Sequence, residues 1–509
     1  KIAATKRNNR IKKSAKNGDS QRKGRASPTC HELLGEAIAR VTGFMNTLRL
    51  DQRIEADKKD PFFRMVTWLK EGGARFPELY MRRYRDDHRG VHALTNIDPQ
   101  KEILYVPLKF IMTSEMAKSS PIGKSIALSK VEVESSHTWL AAFLLSEKAK
   151  QKSSFFYPYI SILPETFSTI PLFFKQDLLD ELKGSFSLEK IDRRNEHLRK
   201  EFDAIAAKVP EFKKFGHDAF VWARLVIITR IFGIVVNNIK TDGLVPYADM
   251  LNHKLPRDTA WTYQDTLKGF TINTCRPIKL GEEVFDSYGR KCNHRFFVNY
   301  GFALTENEDN EAVVTVRLKS SDPEASRKAR IFQNFLVRPY HERSYQIPAK
   351  YDQKTRALFG FLRLCKMNAK ELLAFAGERK MIRHDPEALL ENVLPTSKRN
   401  ELLVLQEVQQ AAETAMSAFS TSIETDEKLL KNKDYKSLNH RNCIVMRLGE
   451  KKVLQWFIDL ADRATRMLEY RSFLSFASHA KAIMHQDTEF DVYVEKVLEP
   501  LAINESMLL

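Results

Sequence analysis

Two short polar words stand out in the stretch 245–302: Asn252-His253 and Ser287-Tyr288-Gly289. Each follows an apolar or β-rich run. An amide, an imidazole and a phenol are thereby expected at the ends of buried strands, where sites tend to be built. Short strands with turns are predicted between them. Leu280-Gly281-Glu282-Glu283 is a turn, and Val284-Phe285 starts a new strand. A third group is Arg230, at the apolar end of a helix predicted over 220–232. A guanidinium there is costly without an anionic partner, although a cation also suits the C-terminal end of a helix dipole. Arginine is the side chain that meets a carboxylate with two parallel hydrogen bonds. Taken singly, Asn252-His253 could be a turn, and Tyr288 a core tyrosine with a satisfied hydroxyl.

The elements that must position these groups are legible in outline. Leu33, Leu34, Ala37, Ile38, Val41 and Phe44 recur at helical spacing, and Phe62 to Leu69 forms a second apolar cluster. Residues 89–93 predict a strand, with 103–107 as its buried partner. Helices are expected at 139–148, 176–182 and 191–208. Residues 312–318 predict a last strand and 320–326 a polar linker. From about residue 357 the chain is helical, with Leu402, Leu405, Val408, Ala412, Ala415 and Phe419 as one apolar stripe. The final stretch, 475–509, is predicted helical.

The order Asp249-Met250-x-Asn252-His253, Gly281-Glu282-Glu283, Tyr288-Gly289 and Asn299-Tyr300-Gly301-Phe302 resembles the second half of a SET domain. The class it is similar to includes the RuBisCO large-subunit methyltransferase and the actin-histidine methyltransferase. Trp222 and Arg230 keep that family's spacing, and Pro158-Tyr159 with Leu163-Pro164 resembles a word from an insert that divides its SET domain. Phe361-Leu362-Arg363 with Lys370-Glu371-Leu372, and later Arg447 to Lys451, resemble its C-terminal substrate-binding domain.

The resemblance implies an α+β fold: small β-sheets with a knot-like C-terminal segment, split by a helical insert at about 135–220, over residues 30–318. An all-helical RuBisCO LSMT-like substrate-binding domain would follow over 319–480, then a helical extension over 481–509. It further implies a protein methyltransferase that uses S-adenosyl-L-methionine and needs no metal, because the sulfonium leaving group is already activated. A sulfonium about 4 Å from a lysine ammonium repels it by roughly 4 kcal/mol at an effective dielectric of about 20. That alone lowers the lysine pKa by roughly 3.

By the same resemblance Arg230 faces the cofactor's carboxylate, Asn252 binds its amino-acid end, and His253 serves the adenine through its backbone. Tyr288 is the catalytic tyrosine and also a cofactor contact; Phe232, Tyr300 and Lys291 line the substrate channel, where Lys291 holds an acidic substrate segment. Gly90 is the glycine that lets the backbone approach the cofactor; His88 stands where the family's Gly-x-Gly turn has its first glycine. Phe232, two positions after Arg230, stands where lysine-modifying members carry an aromatic and the actin-histidine enzyme carries Asn, so a lysine acceptor is expected, with histidine as the alternative. The replacement at His88 supports another reading, a catalytically inactive SET-fold adaptor in a large assembly.

Composition agrees with a globular chain of two or three domains: 509 residues, 43% hydrophobic and 29% charged. No apolar run reaches the roughly 18 residues of a membrane span; the longest, 225–236, is interrupted by Thr229, Arg230 and Gly233. The five cysteines are scattered singly, which argues against a zinc cluster or a disulfide framework and for a reducing compartment: cytoplasm, nucleus or organelle matrix. The net charge is +17. Ten Lys or Arg against one Asp lie in residues 1–29, a basic tail expected either to be disordered or to touch nucleic acid or a ribonucleoprotein. The chain begins on Lys rather than Met, which leaves room for a preceding segment carrying a targeting signal.

Overall fold

The computed structural model describes residues 59–85, 88–334, 337, 339, 341–377, 386–470, 475–478, 480 and 487–506. The basic tail and the helical pattern at 33–44 lie outside the described residues. So does the segment 481–486.

The first lobe opens with the helix Pro61–Glu71. Asp60 caps it by accepting from the Phe62 N–H at 2.8 Å, and Pro61 suits its first turn. Phe62, Met65, Val66 and Leu69 form its buried face. Ten short strands follow: β1 (Leu79–Arg85), β2 (His88–Ala93), β3 (Glu102–Pro107), β4 (Met112–Thr113), β5 (Ile231–Val236), β6 (Ile239–Leu244), β7 (Asn252–His253), β8 (Thr259–Gln264), β9 (Gly269–Thr274) and β10 (Phe285–Asp286). They make four small sheets: β1-β2, β3-β9-β8, β4-β6-β5, and the parallel pair β7-β10.

Three expectations change here. The strand at 88–93 pairs antiparallel with β1, whereas 102–107 pairs with β9, so the two strands expected as partners belong to different sheets. Register between distant segments is set by packing, which local pattern does not report. The helix expected to run through Phe232 is His217–Arg230; Ile231 turns extended and starts β5. β-branched Ile and Val in IFGIVV favour a strand, and Asn237 and Asn238, both at positive φ, close it into a hairpin with β6. The helical insert is wider than 135–220: every helix and 3-10 turn from Ser114 to Arg230 lies between β4 and β5.

The second lobe is helical, with one hairpin built into it. β11 (Glu311–Arg317) pairs antiparallel with β12 (Glu342–Pro348). Ala312, Val314 and Val316 join the same buried cluster as Leu358, Phe361, Leu405 and Phe457, so the strand expected to end the first domain belongs to the second core. The expected polar linker runs into a helix, Ala325–Asn334. The stripe at 402–419 lies on the helix Lys398–Ser417 and buries Leu405, Val408 and Ala412. Phe490, Tyr493, Val494, Val497, Leu498 and Leu501 close the same cluster, so the described part of the C-terminal stretch is integral to it. No helix among the described residues is long and apolar enough to cross a membrane.

The long helix Leu438–Leu468 joins the lobes. Cys443 and Met446 pack with Phe174, Leu182 and Ile191 of the insert and with Phe297 and Val298. Arg447 spans the seam: its Nη2 meets Asp426 at 2.8 Å and its Nη1 donates to the Glu181 carbonyl at 2.9 Å. One turn on, Glu450 is fully buried against the insert and accepts from Ser185 Oγ at 2.5 Å and Ser187 Oγ at 3.3 Å. Burial pushes its carboxyl up to about 8 against the pull of these hydroxyls. Between its ordinary range and about 8 the folded chain therefore holds a proton that the unfolded chain does not, and stability falls as pH rises through that window. Glu450→Gln removes this loss. Thermal melts should give the variant a higher Tm than the parent at pH 8.5 and a similar one at pH 5; parallel melting curves at both values contradict it.

Candidate active site

The parallel ladder of β7 and β10 puts Asn252 beside Phe285 and His253 beside Asp286, so two words 35 residues apart meet. Tyr288 follows two residues later. Its backbone N–H donates to His253 Nδ1 at 3.0 Å, and its hydroxyl donates to the Leu251 carbonyl at 3.0 Å. The tyrosine is thus tied at both ends to the strand that carries Asn252. Because His253 Nδ1 accepts, its proton sits on Nε2, which is buried without a hydrogen-bond partner. Burial and the Lys291 charge push His253 down to about 4, so it stays neutral. Its ring stacks on Tyr288 at 5.1 Å, and Tyr288 stacks on Tyr300 at 5.0 Å. Phe296 and Phe302 complete the cluster. Burial holds the Tyr288 hydroxyl well above its ordinary range, with Arg230 pulling the other way. Gly301 in the left-handed region ends the helix Asn293–Tyr300, which lets Tyr300 and Phe302 fold back on this cluster.

Arg230 ends its helix with a 3.1 Å ion pair to Asp249 and a further bond from Nη1 to the Asp249 carbonyl. Burial acts against its charge, but Asp249 outweighs that and holds Arg230 above its usual range. Asp249 also accepts from Tyr159 Oη at 2.8 Å. Arg230 Nε and Asp249 Oδ1 are buried without partners. Arg89 joins them, with Nε on Met250 Sδ at 3.2 Å and Nη2 on the Ile162 carbonyl at 3.3 Å; burial, and then Arg230, lower it to about 10. Two guanidiniums beside one carboxylate leave this end of the site cationic. The word at 158–164 braces it: Tyr159 holds Asp249, Ile162 holds Arg89, and the Pro164 carbonyl takes Trp222 Nε1 at 2.9 Å.

The other end is built from Gly90, Asn252 and Glu283. Gly90 lies in β2, opposite Arg82, and not in a turn; residues 86–87 are outside the described set. A Cβ on Gly90 would run into Glu283 Oε1 and stand 2.7 Å from Tyr84 Oη. Asn252 Nδ2 donates to the Arg89 carbonyl at 2.9 Å and to Glu283 Oε1 at 2.7 Å. His88 is exposed at the start of β2, 5.0 Å from the Tyr84 ring.

Residues 88–289 match the SET domain family model, and residues 319–454 match the Rubisco LSMT substrate-binding model. The chain carries a SET domain. It is 25% identical over 445 residues to an actin-histidine N-methyltransferase of Canis lupus familiaris, covering 82% of this chain and 73% of the relative. It is likewise 25% identical over 431 residues to the Homo sapiens enzyme of that name, covering 80% and 69%. The fold is that of LSMT. A crystal structure of the LSMT SET domain with MeLysine and AdoHcy superposes with a TM-score of 0.66 at 21% identity, over 84% of this chain and 97% of that one. The structure of Rubisco LSMT bound to AdoMet gives 0.64 at 21%, with the same coverage.

Within this SET domain one expected channel residue, Phe232, lies apart from the tyrosines, and another, Lys291, reaches Tyr288. Phe232 packs edge-on against Trp261 at 5.3 Å and Phe270 at 5.0 Å, as part of the first core. None of the described ring pairs joins it to Tyr288 or Tyr300. Lys291 turns its Nζ to the Tyr288 carbonyl, and burial, then Arg295, lower its pKa. It also lines a cleft of about 410 Å³ between the lobes, with Arg290, Arg295, Lys350 and Lys354, and with Asp309, Glu311 and Asp352 among the acids. Much of that charge is already paired, as in Arg290 with Asp309 at 2.9 Å.

Sequence reasoning missed Arg89, Glu283 and Asp286. Asp286 is buried, takes Thr259 Oγ1 at 3.3 Å, and is pushed up to about 6 by burial. An acid in the otherwise apolar run before Tyr288 was the available signal. Glu283 belongs to the Gly281-Glu282-Glu283 word, but a glutamate in a turn gave no sign that it would reach Asn252. The packing predicts that Gly90→Ala destabilises the domain by about 1–3 kcal/mol, as overpacking does. Glu283→Ala in the same chain should recover part of it, because the two sites share one space. Urea melts of the two single variants and the double test this; strict additivity contradicts it.

Proposed function

We propose that this chain is a protein methyltransferase that uses S-adenosylmethionine, and that its preferred acceptor is a lysine side chain. The observation that carries the reading is the meeting of Asn252, His253 and Tyr288 at the β7–β10 ladder, with Arg230 nearby. The residues suit the amino-acid end of that cofactor. Arg230 keeps a buried Nε without a partner, and Arg89 adds a second cation. The bound cofactor supplies an activated methyl group and a positive charge that disfavours an ammonium next to it.

The chain's own groups do the rest. Arg230 and Arg89 hold a carboxylate. Asn252 presents its Oδ1, since its amide nitrogen is spent on Arg89 and Glu283. His253 is neutral and orients Tyr288 through Nδ1. Tyr288 keeps its proton on the Leu251 carbonyl, so the lone pairs of its oxygen remain to accept from an amine N–H. Alignment of nucleophile and methyl is then a positioning task, in which small displacements are costly.

Phe232 stands where lysine-modifying members of the family carry an aromatic, and that position, not a contact with the tyrosines, supports the lysine reading. Histidine is the second reading, favoured by the relatives named actin-histidine N-methyltransferases. The protein substrate, any contact of the basic tail with nucleic acid or a ribonucleoprotein, and an acidic segment held by Lys291 belong to the same proposal. A reducing compartment does too, supported by the four free cysteines among the described residues.

The test is transfer of labelled methyl from S-adenosylmethionine to candidate proteins, with the modified residue assigned by mass spectrometry. Methyl-lysine is expected, and Tyr288→Phe should lower the rate by about a hundredfold or more with cofactor affinity kept. Methyl-histidine alone would move the assignment to the second reading. No transfer and no cofactor binding by folded protein would leave the adaptor reading in its place.

A further inference from the structure

The cleft of about 410 Å³ between the lobes holds more cations than its own acids can take, five against three. Each of the acids is committed. Asp309 takes Arg290 at 2.9 Å. Glu311 takes Lys354 and accepts from Gln346 Nε2 at 2.7 Å. Asp352 caps the helix Gln353–Lys366 by accepting from the Thr355 N–H at 3.1 Å. The groups left over are all cations. Among the described residues neither Lys291 nor Arg295 pairs with a carboxylate, and Lys350 comes only within 3.9 Å of Asp309, which already holds Arg290.

These cations repel one another. Burial and then Arg295 lower the pKa of Lys291, whose Nζ has turned to the Tyr288 carbonyl. Like charges lining one cleft focus their field into it, and an anion placed there relieves the repulsion. The field also reaches the aromatic cluster: burial raises the Tyr300 hydroxyl with Arg295 pulling the other way, and burial and then Lys291 lower His253. The cations lie on two walls. Lys291 and Arg295 flank the start of the helix Asn293–Tyr300, whereas Lys350 follows β12 in the second lobe. Charge spread in this way suits several carboxylates along a chain better than one compact anion, and the planar fork of Arg295 suits a carboxylate in particular.

We propose that this cleft takes an acidic stretch of the protein substrate, and that Arg295 and Lys350 join Lys291 in reading its carboxylates from both lobes. The inference rests on the methyltransferase reading and adds to it the class of substrate: a protein with several Asp or Glu close to the modified residue.

The test is fluorescence anisotropy of labelled hexaglutamate with the full chain, beside labelled hexaglutamine and without cofactor. The basic tail attracts any polyanion, so two double variants of equal net charge are compared. One is Arg295→Gln with Lys350→Gln in the cleft. The other is Lys124→Gln with Lys240→Gln, two exposed side chains on the insert helix Pro121–Leu128 and on β6. The cleft pair should weaken hexaglutamate by at least about tenfold, the order of one lost charge-assisted hydrogen bond. The remote pair should weaken it by less than about twofold, since distant exposed charges are screened. If the cleft pair fails to fold, Arg295→Gln against Lys124→Gln makes the same comparison, because both side chains are exposed. Equal losses in the two variants overturn the proposal. So does equal affinity of the parent for both peptides. Displacement of hexaglutamate by inorganic phosphate, beyond that by chloride of equal ionic strength, marks a free-anion site and overturns it too. Methyl transfer by a protein whose cleft pair binds hexaglutamate like the parent sinks this inference alone. Failure of folded protein to bind cofactor or transfer methyl sinks the methyltransferase reading, and a tenfold loss in the cleft pair then still marks an acidic-peptide site.

Discussion

A parallel ladder two residues long carries the site. Without the pairing of Asn252-His253 with Phe285-Asp286, Tyr288 would have no N–H near His253 and no route to the Leu251 carbonyl. Two ladder bonds are a weak sheet by themselves. What makes the pair hold is its surroundings: the stacked rings of Tyr300, Phe296 and Phe302 on one side, and buried Val284, Leu251 and Met250 in the first core. Aromatic stacking adds about 0.5–1.5 kcal/mol per pair beyond the area buried, so the cluster outweighs the ladder it protects.

Charge is the second constraint. The chain places several ionic groups out of water, and each is met by more than one partner. Asp249 takes Arg230 and Tyr159; Asp426 takes Arg447 and Lys451; Glu401 takes Arg363 and Tyr493. Breaking one partner of such a set leaves an uncompensated charge, which costs more than the pair contributed. Two of these sets, around Glu401 and Asp426, are structural and hold the second lobe and its seam. The set around Asp249 differs, because Arg230 Nε and Asp249 Oδ1 keep unused capacity. Buried polar atoms left without a partner in a folded chain call for an explanation.

The seam between the lobes ties their stability together. The helix Leu438–Leu468 contributes Cys443 and Met446 to a cluster with insert residues and Phe297, and that phenylalanine lies on the helix that ends at Tyr300. Movement of the second lobe would therefore reach the tyrosine cluster through packed side chains. The cleft beside Lys291 lies along the same junction.

The sequence by itself determined the chemical groups and their order along the chain. Asn252-His253 and Tyr288-Gly289 at strand ends, Arg230 closing an apolar helix and the apolar stripe of 402–419 are local patterns, and local patterns survive in one dimension. The α+β fold and the two domain types followed from the same words. Tertiary structure alone decided which segments meet. It gave β2 to β1 and β3 to β9, moved Glu311–Arg317 into the second core, and set Phe232 against Trp261 and Phe270. It also brought Glu283 to Asn252 and Arg89 to Arg230. These depend on strand register and on packing between residues far apart in the chain. A side chain's partners across such distances are fixed by volume and desolvation in the folded core, and nothing in the neighbouring sequence encodes them.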